Sequence, residues 1–346
     1  MYNVGILGCG KIFDRHIEAI IENNEDFKLV SLCDNNQSKY EELKNNFPEV
    51  SVFKDFREMS EKNDINFVVI STPNSLHFEQ AKFFLENNCD VLIEKPATLD
   101  PKEARAIAKI AKDNNQKAYT ILQVRLNKTV KILKDLIDSK KIGSINSITL
   151  SQRWQRPLTY FDDWRGVPEI GGGTLHECGI HYLDIVCFLF GKPSVIASNQ
   201  YSSKHKKAKI EDTVHSIVSF GDFGGIFEVT IACEPSNIEC SLTILTSEGF
   251  IKIGGKALNK VVDFKFKKDE LEEEVKNTFS MINYEQAVPN NYKNYEGSCP
   301  NHPSLYRNLD KFNISVTYDV LDLIDDIYSK CNLKYYWYLV EEKNGK

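Results

Sequence analysis

The first third of the chain constrains its fold most. Apolar runs short enough to be strands alternate there with helix-like stretches. Residues 4–7, 27–33, 67–70, 91–93 and 118–122 read as strands, and residues 15–23, 38–46, 75–87 and 101–114 as helices. Continuously apolar strands flanked by helices imply a parallel sheet covered on both faces, hence a doubly wound α/β domain. After residue 125 the rhythm changes. A helix over 129–139 leads to period-two stretches at 145–153, 212–220, 225–233, 238–245 and 250–253, separated by Gly and Asn turns. That pattern predicts an α+β domain built on a large, open, mostly antiparallel sheet, whose uncovered face can meet a partner subunit. A chain of 346 residues is too long for one typical core. The expected division is 1–124 for the Rossmann-type domain and 125–346 for the second. The charged runs 204–209 and 263–276 read as solvated surface.

Several function classes are disfavoured by the bulk properties. A formal net charge of -6 is unlike the basic face of a nucleic-acid binder. No apolar stretch approaches membrane-spanning length, and the N-terminus enters a strand without a charged leader. Nine cysteines, scattered singly with no Cys-x-x-Cys, fit reduced thiols in a cytoplasm rather than a disulfide framework or zinc site.

The first turn carries the first candidate site. Gly8-Cys9-Gly10-Lys11-Ile12-Phe13 follows a strand and opens a helix. Glycines there permit a tight turn and close approach of backbone to a pyrophosphate resting on the helix N-terminus. Phe13 occupies the place of the fingerprint's third glycine. Asp34 ends the second strand, where a carboxylate bonds adenosine ribose hydroxyls and repels a 2′-phosphate, favouring NAD over NADP. An ordinary glycine turn with a surface aspartate is the plainer alternative. Ser71-Thr72-Pro73-Asn74-Ser75-Leu76-His77 lies at the carboxyl end of another strand, where doubly wound folds bind ligands. Asn74 and His77 are candidates to line that groove, and Ser75 reads equally well as a helix cap.

Two further segments make chemical sense together. Glu94-Lys95-Pro96 puts a lysine at the end of a buried strand, where a cation can stabilise alkoxide character as hydride leaves. A surface lysine before a proline is the alternative. Gly171-Gly172-Gly173-Thr174-Leu175-His176-Glu177 runs into His181 and Asp184. On a helix, Glu177 and His181 share a face, as do His181 and Asp184. A histidine steadied by a carboxylate is a suitable general base near neutral pH, although lone histidines are often structural. His176 and His181 are five apart, unlike a His-Glu-x-x-His zinc motif, and no metal is assigned.

Together these residues resemble the Gfo/Idh/MocA oxidoreductase family, over nearly the whole chain. The resemblance makes Lys95 and His181 the catalytic pair. The position of Glu177 is more often aspartate in that family. Finer features are similar to its sugar-nucleotide 3-dehydrogenase branch: residues 119–127, Tyr160 with Asp163-Trp164-Arg165-Gly166, Ser241-Leu242-Thr243-Ile244 with Lys252-Ile253-Gly254-Gly255, and Asn301-His302-Pro303-Ser304-Leu305-Tyr306. The last resembles a loop that helps close over the nucleotide. The resemblance implies tightly held NAD and a homo-oligomer, dimer or tetramer. It implies oxidation of the C3′ hydroxyl of UDP-N-acetylglucosamine or its uronate, feeding 3-amino sugars for bacterial surface glycans or lipid A. Cofactor contacts are then expected from Gly8, Gly10, Lys11, Ile12, Asp34, Ser71, Thr72, Asn74, His77, Glu94, Lys95, Gln123, Trp164 and Arg165. Substrate contacts are expected from Lys95, Arg125, Asn127, Arg153, Tyr160, Glu177, His181, His302 and Tyr306. Arg125, Arg153 and Arg165 are available to pair with a diphosphate, and Tyr160, Trp164 or Tyr306 to stack on a base. Each of those aromatics also fits ordinary packing. The rival readings are an inositol or free-sugar dehydrogenase and a non-catalytic NAD-binding regulator. The aromatic tail Tyr335-Tyr336-Trp337-Tyr338 reads as interface or packing.

Overall fold

The computed structural model describes residues 1–62, 64–280, 291–292, 295–296, 299 and 301–331. The aromatic tail at 335–338 lies outside them. The chain divides into two compact units, Met1–Gln123 with Asn291–Leu321, and Val124–Asn290 with Asp322–Lys346. Residues 291–321 group with the first unit, a return that the linear division at 124 does not contain.

In the first unit six parallel strands, β1 (Tyr2–Leu7), β2 (Phe27–Cys33), β3 (Ser51–Phe53), β4 (Phe67–Ile70), β5 (Asp90–Ile93) and β6 (Ala118–Thr120), form a sheet in the order β3-β2-β1-β4-β5-β6. The helices between them are α1 (Phe13–Glu22), α2 (Gln37–Asn46), α3 (Phe56–Lys62), α4 (His77–Glu86) and α5 (Pro101–Asp113). β4 and β5 are buried at every position, the mark of strands covered on both faces. The order reverses between β1 and β4, so the carboxyl ends of these strands flank a topological switch point. Gly8 follows β1 and Lys95 follows β5, so both stand on that edge. β3 and α3 were not expected; the strand is only three residues long and none of its positions is buried.

The second unit opens with α6 (Lys128–Asp138) and β7 (Ile145–Arg153), followed by the four-residue helix α7 (Pro168–Gly171) and α8 (Ile180–Phe190). Six strands follow: β8 (Ser194–Tyr201), β9 (Thr213–Ser219), β10 (Gly224–Thr230), β11 (Glu239–Thr246), β12 (Gly249–Gly254) and β13 (Lys260–Phe266). The seven strands run β13-β12-β11-β7-β10-β9-β8, antiparallel except for β7 beside β10. Alternation sends Val214, Val218, Phe227 and Val229 inward and leaves Ile217 and Ile226, paired in register, exposed on the other face. β8 was not expected, because few of its side chains are buried. The charged stretch 263–276 is partly corrected. It forms the end of β13 and most of α9 (Asp269–Ser280), whose Val275 and Phe279 are buried. α10 (His302–Tyr306) packs on α1 within the first unit, and α11 (Tyr318–Lys330) follows it.

Candidate active site

The glycine turn has distinct jobs for its two glycines. Gly8 has φ +86°, and a Cβ there would lie 2.6 Å from the Ser71 carbonyl oxygen, so only glycine fits. At Gly10 a Cβ would meet nothing within 4 Å, so this backbone is open to a ligand. The Ser71 hydroxyl donates to the Gly8 carbonyl at 2.6 Å, and Asp34 accepts the Cys9 and Asn36 amides, each at 2.9 Å. Asp34 therefore stands beside the turn, at the place a ribose-binding carboxylate requires. Phe13, in place of the third glycine, packs edge-on against Phe47 with ring centroids 5.7 Å apart. Lys11 is exposed and Ile12 half-buried ahead of α1. These features fit a dinucleotide pyrophosphate at the start of α1.

Behind the next strand end, Thr72 donates to Gln80 at 2.6 Å, and Asn74 is buried. His77 is corrected from groove lining to an internal brace. Its ring is fully buried, with Nδ1 2.9 Å from the Pro96 carbonyl and Nε2 3.0 Å from that of Thr72. Burial lowers its pKa despite both carbonyls.

Glu94 occupies a buried cluster that nothing in the local sequence announced. Its Oε1 lies 3.3 Å from His16 Nε2 and 3.4 Å from His302 Nε2, and its Oε2 accepts the Lys95 amide at 3.0 Å. Tyr306 Oη is 2.9 Å from His16 Nδ1. Burial alone would raise the Glu94 pKa, but the two imidazoles outweigh it and hold the carboxyl well below the usual range. The three side chains, among the described residues, have donor types and spacings that suit a cation such as zinc. The His302 contact to Glu94 is a hydrogen bond, whereas the His16 Nε2 contact at 3.3 Å is an ion-pair approach without hydrogen-bond geometry. His302 and Tyr306, expected at the substrate, belong to this cluster. Both are buried inside the first unit, with Tyr306 edge-on to Phe27. Gln123 is also buried; its carbonyl accepts from Asn301 at 3.1 Å, and its Oε1 has no hydrogen-bond partner among the described residues.

In the second unit a π-helical turn, Leu175–Gly179, runs directly into α8. The single α-helix expected here thus starts with a wider turn, a feature frequent at functional sites. Glu177 stands in that turn and His181 in the first turn of α8, both buried. Glu177 Oε2 lies 3.4 Å from Tyr160 Oη and 3.5 Å from Arg165 Nε. Arg165 also pairs with Asp163 and stacks 4.3 Å over Trp164. Burial opposes the Arg165 charge, but Glu177, Tyr160 and Asp163 outweigh it and raise its pKa. Tyr160, Arg165, Trp164 and Glu177 therefore form one polar-aromatic group.

Three other candidates are bonded within the protein. Arg125 gives both Asp184 oxygens a hydrogen bond, at 2.8 and 2.5 Å, so Asp184 balances a cation. Asn127 donates to the Ala257 carbonyl at 2.6 Å. Arg153 bonds Glu228 at 2.9 Å and Glu239 at 2.7 Å across the sheet.

Comparison with known proteins agrees with this architecture. Residues 2–121 match the oxidoreductase family with an NAD-binding Rossmann fold, and residues 130–252 match the GFO/IDH/MocA C-terminal domain. The scyllo-inositol 2-dehydrogenase (NADP(+)) IolW of Bacillus subtilis is 25% identical over 64% of this chain. The D-glucoside 3-dehydrogenase of Escherichia coli is 26% identical over 58% of it. The chain spans 61% and 57% of the length of these two relatives. Among solved structures, the WlbA dehydrogenase of Bordetella pertussis, in complex with NADH and UDP-GlcNAcA, has a TM-score of 0.83. It is 24% identical and aligns over 95% of this chain and 96% of its own. By both halves of its sequence, the chain belongs to the Gfo/Idh/MocA family of NAD-dependent oxidoreductases.

Proposed function

We propose that this dehydrogenase oxidises the C3′ hydroxyl of a UDP-N-acetylglucosamine-type sugar, with or without a C6 carboxylate, to the 3-keto compound. The observation that carries the reading is Lys95 standing at the carboxyl end of β5, on the same sheet edge as the open Gly10 turn. A dinucleotide lying along that edge brings its reactive end toward the lysine. NAD, when bound, supplies the hydride acceptor. In this reading Lys95 holds the reacting oxygen and His181 takes its proton. Tyr160 and Arg165 fix the Glu177 carboxylate on the turn just ahead of His181. The likeness to WlbA bound to UDP-GlcNAcA supports a nucleotide sugar. The inositol and glucoside dehydrogenases among the relatives support the broader polyol class.

The exposed Ile217 and Ile226 face is assigned to a second copy of the chain, giving a homo-oligomer. No helix among the described residues is long and apolar enough to cross a membrane. All nine cysteines are free, which fits a reducing cytoplasm, where the product would feed 3-amino sugar synthesis. The test is to mix the protein and NAD with UDP-GlcNAc, then with its uronate, reading NADH absorbance and sugar mass. A keto sugar from either establishes the reaction. Turnover of scyllo-inositol alone transfers the protein to the polyol reading, and tight NAD binding without any reduction transfers it to the regulator.

A further inference from the structure

The start of the helix that bears Glu177 and His181 is held from outside by a buried carboxylate. Glu211, just ahead of β9, accepts the Thr174 amide at 2.7 Å and the Tyr328 hydroxyl at 2.6 Å. The Leu175 amide donates to that same Tyr328 oxygen at 3.1 Å, and the Thr174 hydroxyl donates to the Glu211 carbonyl at 2.5 Å. Two of the first amides of the helical run thus end on one carboxylate, one directly and one through a phenol. Amides at a helix start lack partners within the helix, and the helix dipole favours negative charge there. The fit is close enough to dictate the neighbouring residue. Gly173 has φ +89°, and a Cβ on it would stand 2.6 Å from Tyr328 Oη and 2.9 Å from Glu211 Oε2. The His176 ring completes the clamp. It stacks on Tyr328 with centroids 5.9 Å apart, and its Nδ1 lies 2.7 Å from the Gly172 carbonyl.

We propose that Glu211, acting with Tyr328, is a positioning residue that sets where Glu177 and His181 stand by clamping the first amides of their helix. Its consequence for turnover rests on the proposed role of His181; the clamp itself does not. Gly173, the last glycine of the run, is then explained as the backbone that can pass a carboxylate and a phenol at close range.

The test compares E211A, E211Q and Y328F in the full-length protein with NAD bound. Four quantities are read: hydrogen exchange of the amides in 172–178, the NMR titration of His181, affinity for NAD, and kcat on whichever sugar the wild type oxidises. In E211A, exchange at Thr174 and Leu175 should rise about tenfold or more, as expected for lost buried hydrogen bonds. The His181 titration should move and kcat should fall about tenfold or more, with NAD affinity within about twofold. E211Q keeps an acceptor oxygen and should recover protection and the larger part of kcat. Y328F should release Leu175 but leave Thr174 protected. Unchanged exchange and an unmoved His181 titration in E211A would overturn the proposal. So would E211Q and E211A losing NAD affinity and turnover alike. A wild type that oxidises no sugar, yet shows the expected exchange and titration changes, refutes the function while leaving the clamp in place.

Discussion

Two carboxylates, Glu94 in the first unit and Glu211 in the second, are equally buried at 8% exposure and face opposite electrostatic outcomes. Glu94 meets two imidazoles and one backbone amide, and its pKa falls well below the ordinary 4.5. Glu211 meets a phenol and a backbone amide, which do not offset its burial, and its pKa rises to about 6. Burial alone therefore does not decide the charge; the donors do. The difference also separates two kinds of support. The first holds the Lys95 amide with a carboxylate whose charged form is favoured. The second ties the helix of His181 to a carboxylate that changes charge near working pH.

The sharpest way to test this comparison is to remove the supported groups themselves. K95M and H181N should each lower kcat by about a hundredfold to ten-thousandfold, the usual range for a lost proton-transfer or oxyanion-stabilising group. H181N should leave NAD affinity, read by fluorescence titration, unchanged. Variants that retain near wild-type turnover would remove the chemistry from these residues and leave the supports without a function. Next in size is E94Q. Replacing a carboxylate that accepts from His302 and the Lys95 amide should cost about 2–3 kcal/mol of stability in urea denaturation. An E94Q cost equal to that of E211Q at pH 7 would break the comparison, because one charge is favourable in the fold and the other is not.

Local pattern in the sequence was enough for the parallel sheet, the Gly8 and Gly10 turn, Asp34, and the placement of Lys95 at a strand end. Each is set by hydrophobic runs or by neighbours a few residues away. The period-two stretches likewise gave the mostly antiparallel second sheet. What was not legible depends on long-range pairing. His16, Glu94 and His302 come from α1, the residue after β5, and α10, and Glu211 and Tyr328 from segments more than a hundred residues apart, with no periodicity to link them. For His302 and Tyr306 a nucleotide contact was expected only from the resemblance of 301–306 to a family loop; the packing of that segment on α1, which buries both side chains, has no local signature. Arg153 looked available for a diphosphate because its cross-strand partners Glu228 and Glu239 lie far away in sequence.

The smallest predicted effect is also the most diagnostic of the Glu94–Glu211 contrast. Because the folded-state pKa of Glu211 is raised from 4.5 to about 6, the folded protein binds its proton more tightly than the unfolded chain does. Its ionised form is therefore a cost above pH 6, and stability from this group is gained as pH falls from about 6 toward 4.5. The full difference corresponds to roughly 2 kcal/mol. The titratable groups facing it are Tyr328 and Cys331, with His176 on the far side of the Tyr328 ring. The neighbouring Asp212 behaves in the opposite sense. It accepts the Lys204 and His205 amides at 2.7 and 2.8 Å, and these bonds with His205 outweigh burial to depress its pKa. Its contribution, like that of Glu94, is present above the unfolded pKa and is lost in acid. Global acid stability thus mixes opposite signs, and only a difference isolates Glu211. The stability of E211Q minus that of the wild type, from urea denaturation at pH 5 and pH 7.5, should be larger at the higher pH by roughly 1–2 kcal/mol. The same subtraction for E94Q should give no such gain. A flat difference for E211Q would mean that its carboxyl titrates as it does in the unfolded chain, and that the clamp on the His181 helix holds no special charge.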